Sequence, residues 1–145
     1  MNISDELYQQ TILEYNREPR NFRTLEKATH VAHGLNPLCG DDYYIYLRVE
    51  DGVVQEASFD GHGCAISKAS ASMMTLELKG KTIEEARALF SRFHELLTES
   101  SEQNDLGRLN VFSGVWKYPE RVKCASLAWH AMDSALSGQN SVTTE

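Results

Sequence analysis

Residues 44 to 60 constrain this chain more than any other stretch. Ile45, Leu47 and Val49 alternate with Tyr44, Tyr46 and Arg48, and beyond Asp51-Gly52 the residues Val53, Gln55, Ala57 and Phe59 alternate with Val54, Glu56, Ser58 and Asp60. Period-two alternation marks a strand, and Asp-Gly tolerates the positive φ angles of a two-residue hairpin turn. An antiparallel hairpin follows. Residues 28 to 35 read as a short strand before it, which makes a three-stranded meander with Cys39 to Asp41 in the turn at one end.

The remaining segments read as helices. Ser4 precedes Asp5 and Glu6 as a helix cap, Leu7, Tyr8, Ile12 and Tyr15 form an apolar face, and Pro19 ends the segment near Arg17. Residues 65 to 79 are rich in small residues and Met, with Gly80 as the stop. Thr82 to Glu85 is a capping box, followed by the helical stripe Ile83, Ala86, Leu89, Phe90, Phe93 and Leu97. A polar, acidic loop is expected over 98 to 105 and a short helix or helical turn over 106 to 115. Pro119 opens a last helix with the stripe Val122, Ala125, Trp129, Met132 and Leu136, and Cys124 lies off that stripe. At 145 residues and 41% hydrophobic content, one core is affordable, so 1–145 is expected to form a single domain, with the polar tail 138–145 fraying.

Chemistry concentrates around the three cysteines. Asn36-Pro37-Leu38-Cys39-Gly40-Asp41 sets a thiol and a carboxylate two positions apart in a bend. Gly61-His62-Gly63-Cys64 places a second thiol between a flexible exit and the expected helix N-terminus, where a thiol is acidified. Cys124 sits near the start of the last helix. Three thiols in a protein expected to be cytoplasmic are not a disulfide framework. With Asp41 they make a Cys3Asp set suited to tetrahedral zinc or to iron in an iron-sulfur cluster. Without a close C-x-x-C knuckle, spacing alone leaves three unrelated thiols as the alternative.

Three ordered blocks carry a resemblance: Asn36-Pro-x-Cys-Gly-Asp41, Gly61-x-Gly-Cys-Ala-Ile-Ser67, and Arg121-Val-Lys-Cys-Ala-x-Leu-Ala-Trp129. With the Pro19-Arg20-Asn21 turn, they resemble the NifU N-terminal and IscU-like iron-sulfur cluster assembly family over nearly the whole chain, and within it the SufU-type branch. The resemblance implies an α+β fold, a three-stranded antiparallel sheet covered by helices. It also implies Cys39, Asp41, Cys64 and Cys124 as metal ligands. Lys123 stands where the IscU branch has a histidine, the Leu-Pro-Pro-Val-Lys segment read by a chaperone is lacking, and extra sequence lies around 79 to 112. All three features resemble the SufU type.

That branch implies a zinc-dependent sulfur acceptor or sulfurtransferase, working with a pyridoxal-phosphate-dependent, SufS-like cysteine desulfurase and with downstream cluster-assembly proteins. Cys39 would accept the sulfur, with Arg121 and Lys123 as electrostatic support. The alternatives are a scaffold that assembles and transfers a [2Fe-2S] cluster and a purely structural zinc site. His62 occupies a family position that does not ligate. His30, His33, His94 and His130 read as surface or packing residues, Tyr43, Tyr44 and Tyr46 as a sheet face, and Met73 and Met74 as core filling.

A formal charge of -7 and the lack of any basic run argue against a nucleic-acid surface. Met1 to Glu6 has neither a cationic nor an apolar leader region, and no run of about 18 apolar residues occurs, so a soluble, cytoplasmic protein without membrane association is expected.

Overall fold

Alternation in the hairpin becomes one buried and one open sheet face. In the computed structural model, which describes residues 3–99 and 106–143, the strands are β1 (His30–Asn36), β2 (Asp41–Glu50) and β3 (Val53–His62). Tyr43, Ile45 and Leu47 of β2 are fully buried, while Tyr44 on the opposite face is exposed. Tyr43 therefore does not share a face with Tyr44 and Tyr46, because strict alternation sends it inward. A register shift between Arg48 and Val49 changes the phase on β3, so Val54 is buried together with Ala57 and Phe59. Asp51 and Gly52 take φ of 54° and 73°, the left-handed pair that a tight hairpin turn requires.

The sheet has four strands rather than three. After the last helix, Gly138 (φ 80°) turns the chain back, and β4 (Ser141–Thr143) runs parallel to β1, opposite His33 to Leu35. Strand order is β3-β2-β1-β4, antiparallel except for this last pair. The tail expected to fray is thus tied down at 141–143. Val142 is its one apolar residue, too little for a strand signal, and packs partly buried against the core; the unpaired backbone at the β1 edge, which needs hydrogen-bond partners, holds the rest.

Helices cover the inner face. They are α1 (Ile3–Arg17), α2 (Ala65–Leu78), α3 (Ile83–Thr98) and α4 (Pro119–Leu136), with short 3-10 segments at Gly107–Phe112 and Val115–Lys117. α1 begins at Ile3, so Ser4 lies inside it rather than capping it. The acidic loop expected over 98 to 105 lies outside the described residues from 100 onward. Small side chains let α2 run through the middle of the protein, where Ala69, Ala71, Met73 and Met74 are fully buried. Ser70 Oγ donates to the Ala125 carbonyl (2.6 Å) and accepts from Trp129 Nε1 (3.1 Å), locking α2 to α4. Among the described residues, no helix is long and apolar enough to cross a membrane.

The capping box on α3 forms as expected: Glu85 N–H donates to Thr82 Oγ1 (3.1 Å) and Thr82 N–H donates to the Glu85 carboxylate (2.9 Å). Thr82→Ala removes one side of it and should lower stability by about 1 kcal/mol, read as a fall in the urea midpoint at unchanged m.

Candidate metal centre

The β1–β2 hairpin builds the first part of the site. Asn36 pairs with Asp41 across the ladder, leaving Pro37 to Gly40 as the loop; Cys39 N–H donates to the Asn36 carbonyl (3.2 Å) and Gly40 takes φ of 73°. Cys39 is exposed on that loop, whereas Asp41, on the inner face of β2, is 1% exposed. One carboxylate oxygen, Oδ1, accepts the Cys64 N–H at 2.9 Å. The sheet and the start of α2 meet there.

Cys64 caps α2, its sulfur accepting the Ser67 N–H at 3.4 Å, as expected for a thiol at a helix N-terminus. Ser67 Oγ contacts both the Cys64 sulfur (3.5 Å) and the Tyr43 hydroxyl (3.2 Å). Gly63 lies against this network: a Cβ there would fall 2.8 Å from the Tyr43 hydroxyl, 2.9 Å from Ser67 Oγ and closer still to Asp41 Oδ1. Only glycine fits.

Cys124 arrives from α4. It sits in the second turn and is 5% exposed, because α4 is buried nearly all round from Cys124 to Trp129, not along a single stripe. The ligand atoms of Cys39, Asp41 and Cys124 lie within 4.8 Å of one another. The Cys124 thiol also interacts electrostatically with those of Cys64 and Cys39. Three of the four residues expected to ligate a metal thus gather their ligand atoms at one end of the sheet, and Cys64 stands beside them, joined to Asp41 through its backbone N–H while its sulfur lies outside that 4.8 Å group.

Charge is shared unevenly within the group. The side-chain interaction with Cys124 draws the Cys64 thiol below its ordinary range against the opposing effect of burial, with Ser67 helping. Cys124 is pushed the other way by the same interaction, by burial and by the charge on Cys64. The two thiols titrate as a coupled pair.

The donors fit a metal ion. Asp41 Oδ2 is buried with no hydrogen-bond partner among the described residues, a position that an anionic oxygen tolerates only beside a cation or donor. Three thiols and this oxygen form a donor set suited to zinc or iron.

The two basic residues are placed differently. Lys123, Glu120, Pro119 and Leu38 line a pocket together with Cys39. The Arg121 guanidinium instead stacks on aromatic rings, 4.5 Å from the Tyr118 centroid and 5.9 Å from that of Tyr8. His62 is exposed and outside the cluster. His33 packs on Tyr44 and contacts Asp42, while Phe90 meets both His94 and His130 edge-on.

Gly63 and Ser67 belong to the Cys64 block read from the sequence, whereas Tyr8 and Tyr43 were not legible there as parts of this end of the molecule. The Tyr8 hydroxyl is buried and unpartnered; burial raises its pKa, Arg121 opposes this, and the charges of Cys64 and Cys124 add to it. Strand parity would have sent Tyr43 inward, but nothing local in α1 ties Tyr8 to the thiols.

The NifU-like N terminal domain family matches residues 7–136. The chain belongs to this family. Among NifU-like relatives, the zinc-dependent sulfurtransferase SufU of Bacillus subtilis is 38% identical over 92% of this chain and 91% of its own length. The iron-sulfur cluster assembly scaffold protein IscU of Thermotoga maritima is also 38% identical, over 90% of this chain and 92% of its own. The crystal structure of FiSufU from Fervidobacterium islandicum AW-1 superposes with a TM-score of 0.83 at 32% identity, covering 90% of this chain and 97% of that one. The NifU-like fold is thus the α+β fold described above.

Proposed function

We propose that this NifU-like protein serves iron-sulfur cluster assembly as a zinc-dependent sulfur acceptor for a pyridoxal-phosphate-dependent cysteine desulfurase of the SufS type, with Cys39, Asp41, Cys64 and Cys124 as the zinc ligands. One observation carries the reading: the ligands are unequal in burial. Asp41 and Cys124 are enclosed and Cys64 is anchored in a helix cap, whereas Cys39 is exposed on the hairpin loop. Cys39 can leave the ligand set by a movement of that loop alone, while the other three are held by β2, α2 and α4.

A bound zinc ion keeps its thiol ligands deprotonated at neutral pH. The sulfur of Cys39 then attacks the outer sulfur of the persulfide on the desulfurase. A new S–S bond forms on Cys39, the S–S bond on the desulfurase breaks, and the desulfurase cysteine departs as thiolate, with no net oxidation or reduction. Lys123, beside Cys39, supplies positive charge where two thiolates approach each other. The persulfide sulfur then passes to downstream cluster-assembly proteins.

A scaffold for a [2Fe-2S] cluster is the second reading. The same donor set favours it, since a carboxylate among thiolates makes a cluster easy to release, and the Thermotoga maritima relative named as a scaffold is as similar as the SufU relative. Metal analysis of the purified protein, followed by desulfurase turnover on cysteine with and without it, separates the two. Stoichiometric zinc and strong stimulation are expected. An oxygen-sensitive cluster that moves to an apo-protein, without stimulation, would sink sulfur acceptance in favour of the scaffold.

A further inference from the structure

Asn36 is the last residue of β1, on the inner face, and is 0% exposed. Both polar atoms of its carboxamide, Oδ1 and Nδ2, have no hydrogen-bond partner among the described residues. A buried amide in that condition bears its full desolvation penalty with no return, which is rare and calls for a reason. The usual use of an asparagine at the first position of a tight turn, bonding the backbone two residues on, is not made here. Its backbone carbonyl closes the turn to Cys39 while its side chain points into the protein.

The surroundings are the metal centre. Asn36 is the direct cross-strand partner of Asp41, so the two side chains share a face as nearest neighbours, and Asp41 Oδ2 is buried and unpartnered as well. α4 lies over the same strand: a Cβ on Gly34 would touch Leu127 and Ala131, and the preceding turn of α4 brings Cys124 to the Asn36 end. Three thiolates and a carboxylate around a dication leave excess negative charge. Such a shell is steadied by N–H donors, and its outer partners set the orientation of the ligands.

We propose that Asn36 is a positioning residue of the metal centre, its carboxamide N–H groups donating to the anionic ligand atoms that gather around the ion. The inference rests on the reading of Cys39, Asp41, Cys64 and Cys124 as metal ligands. Its hydrogen bonds are completed in the loaded protein, which explains why a polar amide occupies a fully buried strand position.

The test uses full-length protein, Zn2+ and Co2+ as probes, and the variants Asn36→Leu, close to asparagine in size but without polar atoms, and Asn36→Ser, which also lacks the carboxamide. Zn2+ affinity is measured by chelator competition, the Co2+ form by its thiolate charge-transfer and ligand-field bands, and the metal-free form by thermal unfolding. Both variants should bind Zn2+ roughly 10- to 100-fold more weakly and shift the Co2+ bands. Metal-free Asn36→Leu should unfold no lower than wild type, since an unsatisfied amide has been removed. Wild-type affinity and an unchanged Co2+ spectrum in the variants, with a lower unfolding temperature, would overturn the role of Asn36 alone. Failure of the wild type to bind either ion would overturn the metal-centre reading on which it rests.

Discussion

Replacing Cys39 with alanine is expected to reduce stimulation of the desulfurase to the level seen with no added protein, while leaving the fold essentially unchanged. Cys39 is exposed on a loop whose neighbour Leu38 is 74% exposed, so its loss opens no core cavity and should change stability by less than about 0.5 kcal/mol. Zinc should remain, held less tightly by Asp41, Cys64 and Cys124. Cys124→Ala supplies the contrast: it removes a buried thiol whose sulfur lies within 4.8 Å of the ligand atoms of Cys39 and Asp41, so zinc should be lost from the purified protein. The decisive measurement is mass spectrometry of the protein after desulfurase turnover, with persulfide expected on Cys39. Full stimulation by Cys39→Ala, or persulfide on Cys64 in the wild type, would refute the assignment.

Gly63→Ala should do comparable damage with a single methyl group. The added Cβ would collide with the Asp41 carboxylate and press on Tyr43 and Ser67. None of these can easily retreat, because Asp41 is held by the Cys64 N–H and Ser67 by the Cys64 carbonyl (3.0 Å) and the Tyr43 hydroxyl. Overpacking of this kind costs about 1–3 kcal/mol, and here the strain falls on Asp41, a proposed ligand. Loss of stoichiometric zinc on elemental analysis, with a lowered unfolding temperature, is the expected result. A Gly63→Ala protein with full zinc content would show that the Asp41–Tyr43–Ser67 network is looser than the packing implies. At Gly61, φ is 130° and a Cβ would strike the Asp42 carbonyl, so alanine there should disturb the β2–β3 pairing first.

Much of the architecture was legible from residues alone, since local rules set it. The turn at Asp51-Gly52 and the Thr82–Glu85 cap are interactions between residues close in sequence, and each formed where its pattern lies, whereas the burial of each helix followed its neighbours: Leu7 of the expected α1 face is exposed and α4 is buried beyond its stripe. The register shift at Arg48/Val49 escaped because a bulge changes strand parity without changing composition. β4 escaped for a related reason: Ser141–Thr143 is held by the edge it meets, and an edge belongs to the sheet rather than to the segment.

The candidate site divides in the same way. Sequence by itself determined which side chains have the chemistry, three thiols and Asp41, and that Cys64 would stand near a helix N-terminus, because residue identity and helix signals are local properties. Only the tertiary structure decided that a hairpin loop, a helix start and a distant helix turn meet at one point. It also decided that Asp41 and Cys124 are enclosed while Cys39 is not, and that Tyr8, Tyr43, Ser67 and the unpartnered Asn36 surround them. Burial depends on what packs over a residue, and the elements that pack here come from opposite ends of the chain.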